Sequence, residues 1–208
     1  MFYFFLLLAV GLSLSLFLSV VTEGRFAAWA KAFRIVLVSL SVLFFSYLFI
    51  KKSLDDFRKD SLAVQIINKL PFPLDFYIVK INSGAQQQDR YDTRHVGKIR
   101  TQHYRIDYLQ MADSDEYWVA GYLGNKNLVY FSQHSVPNKN EDQIIEIRNY
   151  IIQSSKLAER AKLQIYALKL ENIKTAIWIT LDLLLLFLNL ALLLRRKKEK
   201  TPAVAGVS

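Results

Sequence analysis

Three long apolar runs set around one polar block constrain this chain more than any motif in it. Residues 2–21, 26–50 and 176–194 are dominated by Leu, Phe, Val, Ile and Ala and carry few charges. As helices rising about 1.5 Å per residue, each is long enough for roughly 30 Å of hydrocarbon. Residues 51–175 are mixed and charged in the manner of a small soluble domain. The layout predicts a membrane protein of α+β class: three transmembrane helices and a small extracytoplasmic antiparallel-sheet domain flanked by helices. The expected divisions are a two-span hairpin over 1–50, an outer domain over 51–140, a long amphipathic helix over 141–194 that runs continuously into the third span, and a short basic tail over 195–208.

The formal charge of +9 is a nucleic-acid signal only if it is concentrated on the polar block. It is not. More than half of it lies in the apolar runs and the short segments beside them, notably at Arg25, Lys31, Arg34 and in the run from Arg195 to Lys200. That distribution reads as membrane topology, not as a polyanion site, and nucleic acid is not an expected partner. The basic run after Leu194 and the basic linker 22–34 both belong on the cytoplasmic side by the positive-inside rule. The N-terminus and the polar block then lie outside, and a bacterial inner membrane is the expected location. The first run lacks a basic leading segment and a small-residue cleavage site, so it reads as a retained span. There is no Cys, so the outer domain has no disulfide to draw on.

Small residues mark helix faces that admit a close neighbour. Gly11, Ser15 and Ser19 recur every fourth residue on the first run, and Ala32, Ser39 and Ser46 every seventh on the second. The expectation is that these faces pack the two spans as a hairpin. Asp182 lies near the middle of the third run, where a carboxylate costs roughly 2.5–3.5 kcal/mol on insertion scales. Asn189 follows seven residues later on nearly the same face, and matching depths place Ser13 and Ser41 near the level of Asp182. Asp182 and Asn189 are therefore the candidate intramembrane contacts, either within the bundle or with a partner.

From Glu141 to Leu194 no Pro or Gly interrupts the chain, and one stripe with alternating steps of three and four runs from Ile144 through Ala158, Ala161, Ile165 and Leu168 to Ile179, Asp182, Leu186, Asn189 and Leu193. A matching front helix is expected over 53–70, with Leu54, Phe57, Val64 and Ile67 on its apolar side and Pro71 and Pro73 ending it. Between them, 74–81, 98–109, 117–123 and 128–134 read as four strands, with a hairpin turn at 124–127 and loops at 83–88 and 136–140.

No phosphate-cradling glycine loop, nucleophile elbow or His-Glu-x-x-His motif is present. His95, His103 and His134 lack metal-ligand spacing, and the acidic run 113–116 lacks the further ligands of a calcium loop. Catalytic, metal and cofactor residues are accordingly expected to be none. Tyr104, Tyr108, Tyr117, Trp118, Tyr122, Tyr130 and Phe131 read as core, with a pocket for an anionic or aromatic ligand among Arg90, Arg94, Arg100 and Arg105 as the other reading. The order of span, outer domain and span is similar to the sensor half of bacterial membrane receptors, although 195–208 is too short for an output domain.

The expected function is a non-enzymatic accessory or scaffold subunit of a membrane complex, set in the lipid bilayer. It would dock on another integral membrane protein, or on a second copy of itself. The alternative is an extracytoplasmic ligand-binding module that signals through a separate membrane partner.

Overall fold

The computed structural model describes residues 2–21, 24–55, 61–82, 90–124 and 126–195. The loop expected at 83–88, Asn125 of the hairpin turn and most of the basic tail lie outside them. The fold is α+β, a sheet domain flanked by helices. The chain divides into two units, Met1–Lys51 with Lys174–Ser208, and Lys52–Ile173.

The helical unit holds α1 (Phe2–Leu18), most of α2 (Arg25–Asp55) and the second half of α3 (Ser155–Leu194). Two helices, α2 and α3, are long and apolar enough to cross a membrane; α1, at 17 residues, is shorter. Leu8, Leu12, Val38 and Leu186 are buried together where the three helices meet. On the outside, Leu7, Phe17, Leu43, Phe49 and Phe187 are exposed. These helices are thus apolar on their outer faces as well as where they meet.

The sheet unit departs from the expected single sheet of four strands. It has seven strands in two sheets: β1 (Leu62–Asn68), β4 (His103–Leu109) and β7 (Gln143–Ile147) in the order β4-β1-β7, and β2 (Leu74–Asn82), β3 (Tyr91–Ile99), β5 (Ser114–Leu123) and β6 (Asn127–Ser135) in the order β3-β2-β5-β6. All pairs are antiparallel except β1 with β7, so the purely antiparallel expectation is also corrected.

The two sheets enclose a core that includes Val64, Ile66, Phe76, Ile78, Tyr117, Val119 and Ile147. Residue alternation explains the arrangement: Leu62, Val64, Ile66 and Asn68 are buried while Ala63, Gln65 and Ile67 are half-exposed, a period of two. That period corrects the front helix expected over 53–70. Helix α2 does continue to Asp55, but 62–68 is a strand.

The span 98–109 is likewise two strands in different sheets, joined by a tight turn with Gln102 at φ 61°. The Gln102 amide donates to Asn68 O at 2.7 Å. Asn68 itself is fully buried; its side-chain amide donates to Phe72 O and Ile99 O, and its Oδ1 accepts from the Leu70 amide. One side chain thus ties the β1–β2 turn to the end of β3.

The long helix begins at Ser155 and not near 141, because 143–147 pairs with β1. Ser154 starts it: its Oγ accepts from the Leu157 amide at 3.3 Å, the position of an N-cap. Helix α3 then runs unbroken to Leu194. Ala158, Ala161 and Ile165 bury against the outer face of the four-stranded sheet, on Tyr77, Val79, Trp118, Tyr122 and Phe131. Small alanines let the helix backbone lie close to those rings.

His134 stacks on Tyr117 at 5.2 Å and meets Ser132 Oγ at 2.7 Å through Nε2. Burial lowers its pKa below the ordinary 6.5. In the folded state the ring therefore resists protonation, while in the unfolded state it takes up a proton near pH 6.5. Its contribution to stability is complete above that pH and is lost as pH falls toward the folded value. Urea midpoints of the full-length protein should fall as pH drops below about 6.5, and His134→Gln should flatten that slope. An equally steep slope in the variant would place the pH response elsewhere.

Candidate functional site

Within the helical unit, polar side chains gather on α3. Asn189 is fully buried and fully used: its Oδ1 accepts from Ser15 Oγ at 2.7 Å, and its Nδ2 donates to Leu12 O at 3.0 Å and Leu185 O at 2.9 Å. Its carbonyl oxygen accepts from Arg34 Nη2 at 3.5 Å. Asp182 is also completely buried, yet neither carboxylate oxygen has a hydrogen-bond partner among the described residues. Ser41 is buried but donates to Leu37 O on its own helix, and Ser13 is exposed. The two candidate contacts thus differ: Asn189 knits α1, α2 and α3 together, whereas Asp182 is an unmet acceptor inside the bundle.

The small-residue faces also divide. Gly11 lets the Leu37 methyls approach to 3.4 Å from where a Cβ would sit, Ser15 is buried against α3, and Ser19 is half-buried just past the end of α1. Ala32, Ser39 and Ser46 are exposed. Helix α2 buries Ala30, Arg34, Val38 and Ser41 instead, a face offset from the expected one.

Within the sheet unit, the aromatic residues expected to form one core spread over three surfaces. Tyr117 and Tyr130 lie between the sheets; Trp118, Tyr122 and Phe131 lie under α3. Tyr104 and Tyr108 point outward from β4 and are exposed. With Ile106 and Ile144 they form an apolar outer face on the three-stranded sheet, each 45% to 65% exposed. The registers Ala63↔Tyr108, Gln65↔Ile106, Ile67↔Tyr104 and Gln65↔Ile144 make these side chains neighbours across β4, β1 and β7. The outward face of a solvated sheet is ordinarily polar.

Comparison with protein-family models, with curated proteins and with solved structures finds no match.

Of the four arginines expected to line a pocket, Arg94 and Arg105 act as clamps, whereas Arg90 lies 6.0 Å from the Tyr91 ring centre and Arg100 lines a separate cleft with Pro73, Lys98 and His103. Arg94 donates to Tyr108 O at 3.1 Å and Arg105 to Val96 O, joining β3 of one sheet to β4 of the other. Gly97, at φ 101°, lies directly under the Arg105 guanidinium. The acidic run 113–116 is dispersed as well: Ser114 bonds Asn82 at 2.8 Å and Asp115 pairs with Lys139 at 2.9 Å. Among the described residues no three His, Asp or Glu side chains converge as metal ligands.

A cleft of about 710 Å³ lies between α3 and the four-stranded sheet. Tyr77, His95 and Tyr122 form its sheet side, with Lys162, Tyr166 and Lys169 on the helix side. Asp75 fixes the floor by accepting from Tyr77 Oη at 2.9 Å and meeting His95 Nε2 at 2.7 Å. Burial and this carboxylate raise the Tyr77 pKa, so the phenol stays protonated and donates. The Lys169 ammonium sits 5.0 Å from the Tyr77 ring centre and 4.8 Å from that of Tyr122. Sequence reasoning put only Tyr122 of these residues among pocket candidates, since the others come from separate stretches and only the i, i+4, i+7 spacing of Lys162, Tyr166 and Lys169 is visible beforehand.

Proposed function

We propose that the protein is a non-enzymatic accessory subunit of a membrane complex, anchored by all three apolar helices, with the sheet domain outside and the basic tail in the cytoplasm. A bacterial inner membrane fits that orientation. One observation carries the reading: the apolar outer face of the three-stranded sheet, built from Tyr104, Ile106, Tyr108 and Ile144. Contiguous exposed apolar surface of this kind marks a protein contact. The partner is another integral membrane protein, whose outer portion covers this face. The non-enzymatic part is supported by one feature among the described residues: the Ser132–His134 pair, a hydroxyl beside an imidazole, is turned between the sheets, with Ser132 2% exposed.

The test is purification of tagged full-length protein from its native membrane in mild detergent after crosslinking, followed by mass spectrometry. Ile106→Lys and Asp182→Leu are run beside the unaltered chain. A stoichiometric companion lost with Ile106→Lys and kept with Asp182→Leu is the expected result. Loss with Asp182→Leu alone would move the docking surface into the bilayer. A chain that runs alone, even when crosslinked, would overturn the subunit reading, and a companion that is a second copy would make it a homo-oligomer.

A further inference from the structure

A second cleft, of about 600 Å³, opens at the end of the sheet unit where β1 turns into β2 and β3 into β4. Pro73, Lys98, Arg100, Thr101 and His103 line it, and among the described residues no carboxylate does. Its size falls within the roughly 300–1,000 Å³ of small-molecule sites. Lys98 and Arg100 are exposed, and among the described residues neither side chain has an ion pair or a hydrogen bond. Asp75 lies opposite Lys98 in register, but its oxygens are taken by Tyr77 and His95. Both cations are thus open to an anion.

The walls of this cleft are fixed in place. Buried Asn68 donates through its side-chain amide to Phe72 O, next to Pro73, and to Ile99 O, between Lys98 and Arg100. Its backbone carbonyl accepts from the Gln102 amide at 2.7 Å, inside the tight turn that the His103 amide closes on Arg100 O at 3.1 Å. Gln102 holds φ 61°, where Gly or Asn is the usual occupant, so the surrounding bonds maintain a turn that the residue itself disfavours. Backbone strain held in this way collects at ligand-binding turns. His103 Nδ1 donates to Thr101 O at 2.8 Å, which sets the ring and leaves Nε2 for a ligand.

We infer that this cleft binds a phosphate monoester. Such a group carries up to about two negative charges and three oxygens besides its ester oxygen. Two of those oxygens match the planar fork of the Arg100 guanidinium, and the third suits the Lys98 ammonium. His103 Nε2 accepts from a phosphate hydroxyl, or donates to an oxygen when the ring is protonated. A carboxylate fills the fork and leaves Lys98 unmet. A phosphodiester brings a single charge and one oxygen fewer. Pro73 gives the body of the ester an apolar wall. The inference is independent of both the membrane and the subunit readings.

The test takes full-length protein in neutral detergent and phosphate-free buffer, titrated with glycerol 3-phosphate, dimethyl phosphate and succinate. Calorimetry and the thermal midpoint are the readouts. Glycerol 3-phosphate should raise the midpoint by mass action. Its affinity should fall at least about tenfold in K98Q/R100Q, while K156Q/R160Q, the same loss of charge at exposed positions on α3, leaves it unchanged. R100K keeps the charge without the fork and should also weaken binding. Full affinity in K98Q/R100Q or in R100K, or an equal response to dimethyl phosphate or succinate, would overturn the assignment. Dihexanoyl phosphatidic acid identifies the source of the ester: tighter, equally variant-sensitive binding assigns it to a lipid, weaker binding to a soluble ester, and either order supports the site. Should the variants fail to fold, phenylglyoxal labelling decides on the unaltered chain. Glycerol 3-phosphate that shields Arg100 but not Arg90 supports the cleft, and equal labelling of Arg100 with and without it sinks the proposal.

Discussion

Phe76→Ala is expected to lower the stability of the sheet domain by about 3–5 kcal/mol, the range for emptying a fully buried aromatic site. Phe76 is completely inaccessible, in the core between the two sheets. Its ring packs against Gly121, where an added Cβ would come within 2.8 Å of Cε1. The ring fills the space that Gly121 leaves open for want of a side chain. A domain of this size has only about 5–15 kcal/mol in total, so the variant should be close to unfolding at body temperature. Urea titration of the full-length protein in neutral detergent would measure it. Trp118 fluorescence is the probe, with Trp29 and Trp178 changed to Phe. Phe72→Ala, at a site 55% exposed, is the control and should change stability by no more than about 0.5 kcal/mol. A loss below about 1 kcal/mol at position 76 would mean that the sheets do not enclose this ring.

Asp182→Leu should act in the opposite direction and stabilise the isolated protein by about 1–4 kcal/mol, the range seen when buried charged groups give way to well-packed apolar ones. The carboxylate is fully buried with both oxygens unpartnered, beside Leu186 in an apolar cluster. Such a group costs free energy whether it is desolvated as an anion or kept protonated. Asn189→Leu, one heptad away, should destabilise by about 1–2 kcal/mol, since intramembrane hydrogen bonds average about 0.6 and reach about 1.7 kcal/mol. Thermal midpoints of both variants in one detergent supply the comparison. If Asp182→Leu destabilises instead, the carboxylate holds a cation or a proton-donating group in the native protein, and its place in the bundle is a binding role. The sign of this one shift therefore separates a structural liability from a contact.

Much of α3 was legible in advance. The three-four stripe through Ala158, Ala161, Ile165, Asp182, Leu186 and Asn189 is the buried line of the helix in both units. Strands β2, β5 and β6 were legible too, because Val, Ile, Tyr and Phe concentrate there between turn residues. The beginning of α3 was not. Residues 143–147 share the helix-compatible composition of the stretch from Ser155 onward, and their strand state depends on β1 lying alongside in parallel register. The same holds for 62–68, whose alternation was outweighed by apolar spacing that also suits a helix.

The sequence by itself determined what depends on near neighbours: that α2 and α3 are long and apolar enough for a membrane, which line of α3 is buried, and that a polar α+β block lies between. Only the tertiary structure decided what depends on distant segments meeting. Those are the second sheet, the sorting of the tyrosines into core, helix-covered face and bare surface, the sharing of Asn189 among three helices, and the cleft that joins Tyr77, His95 and Tyr122 to Lys162 and Lys169. Periodicity reports the side an element turns inward, because that is set within a few residues along the chain. It carries no record of which other element will cover that side, since strand pairing joins residues far apart in sequence.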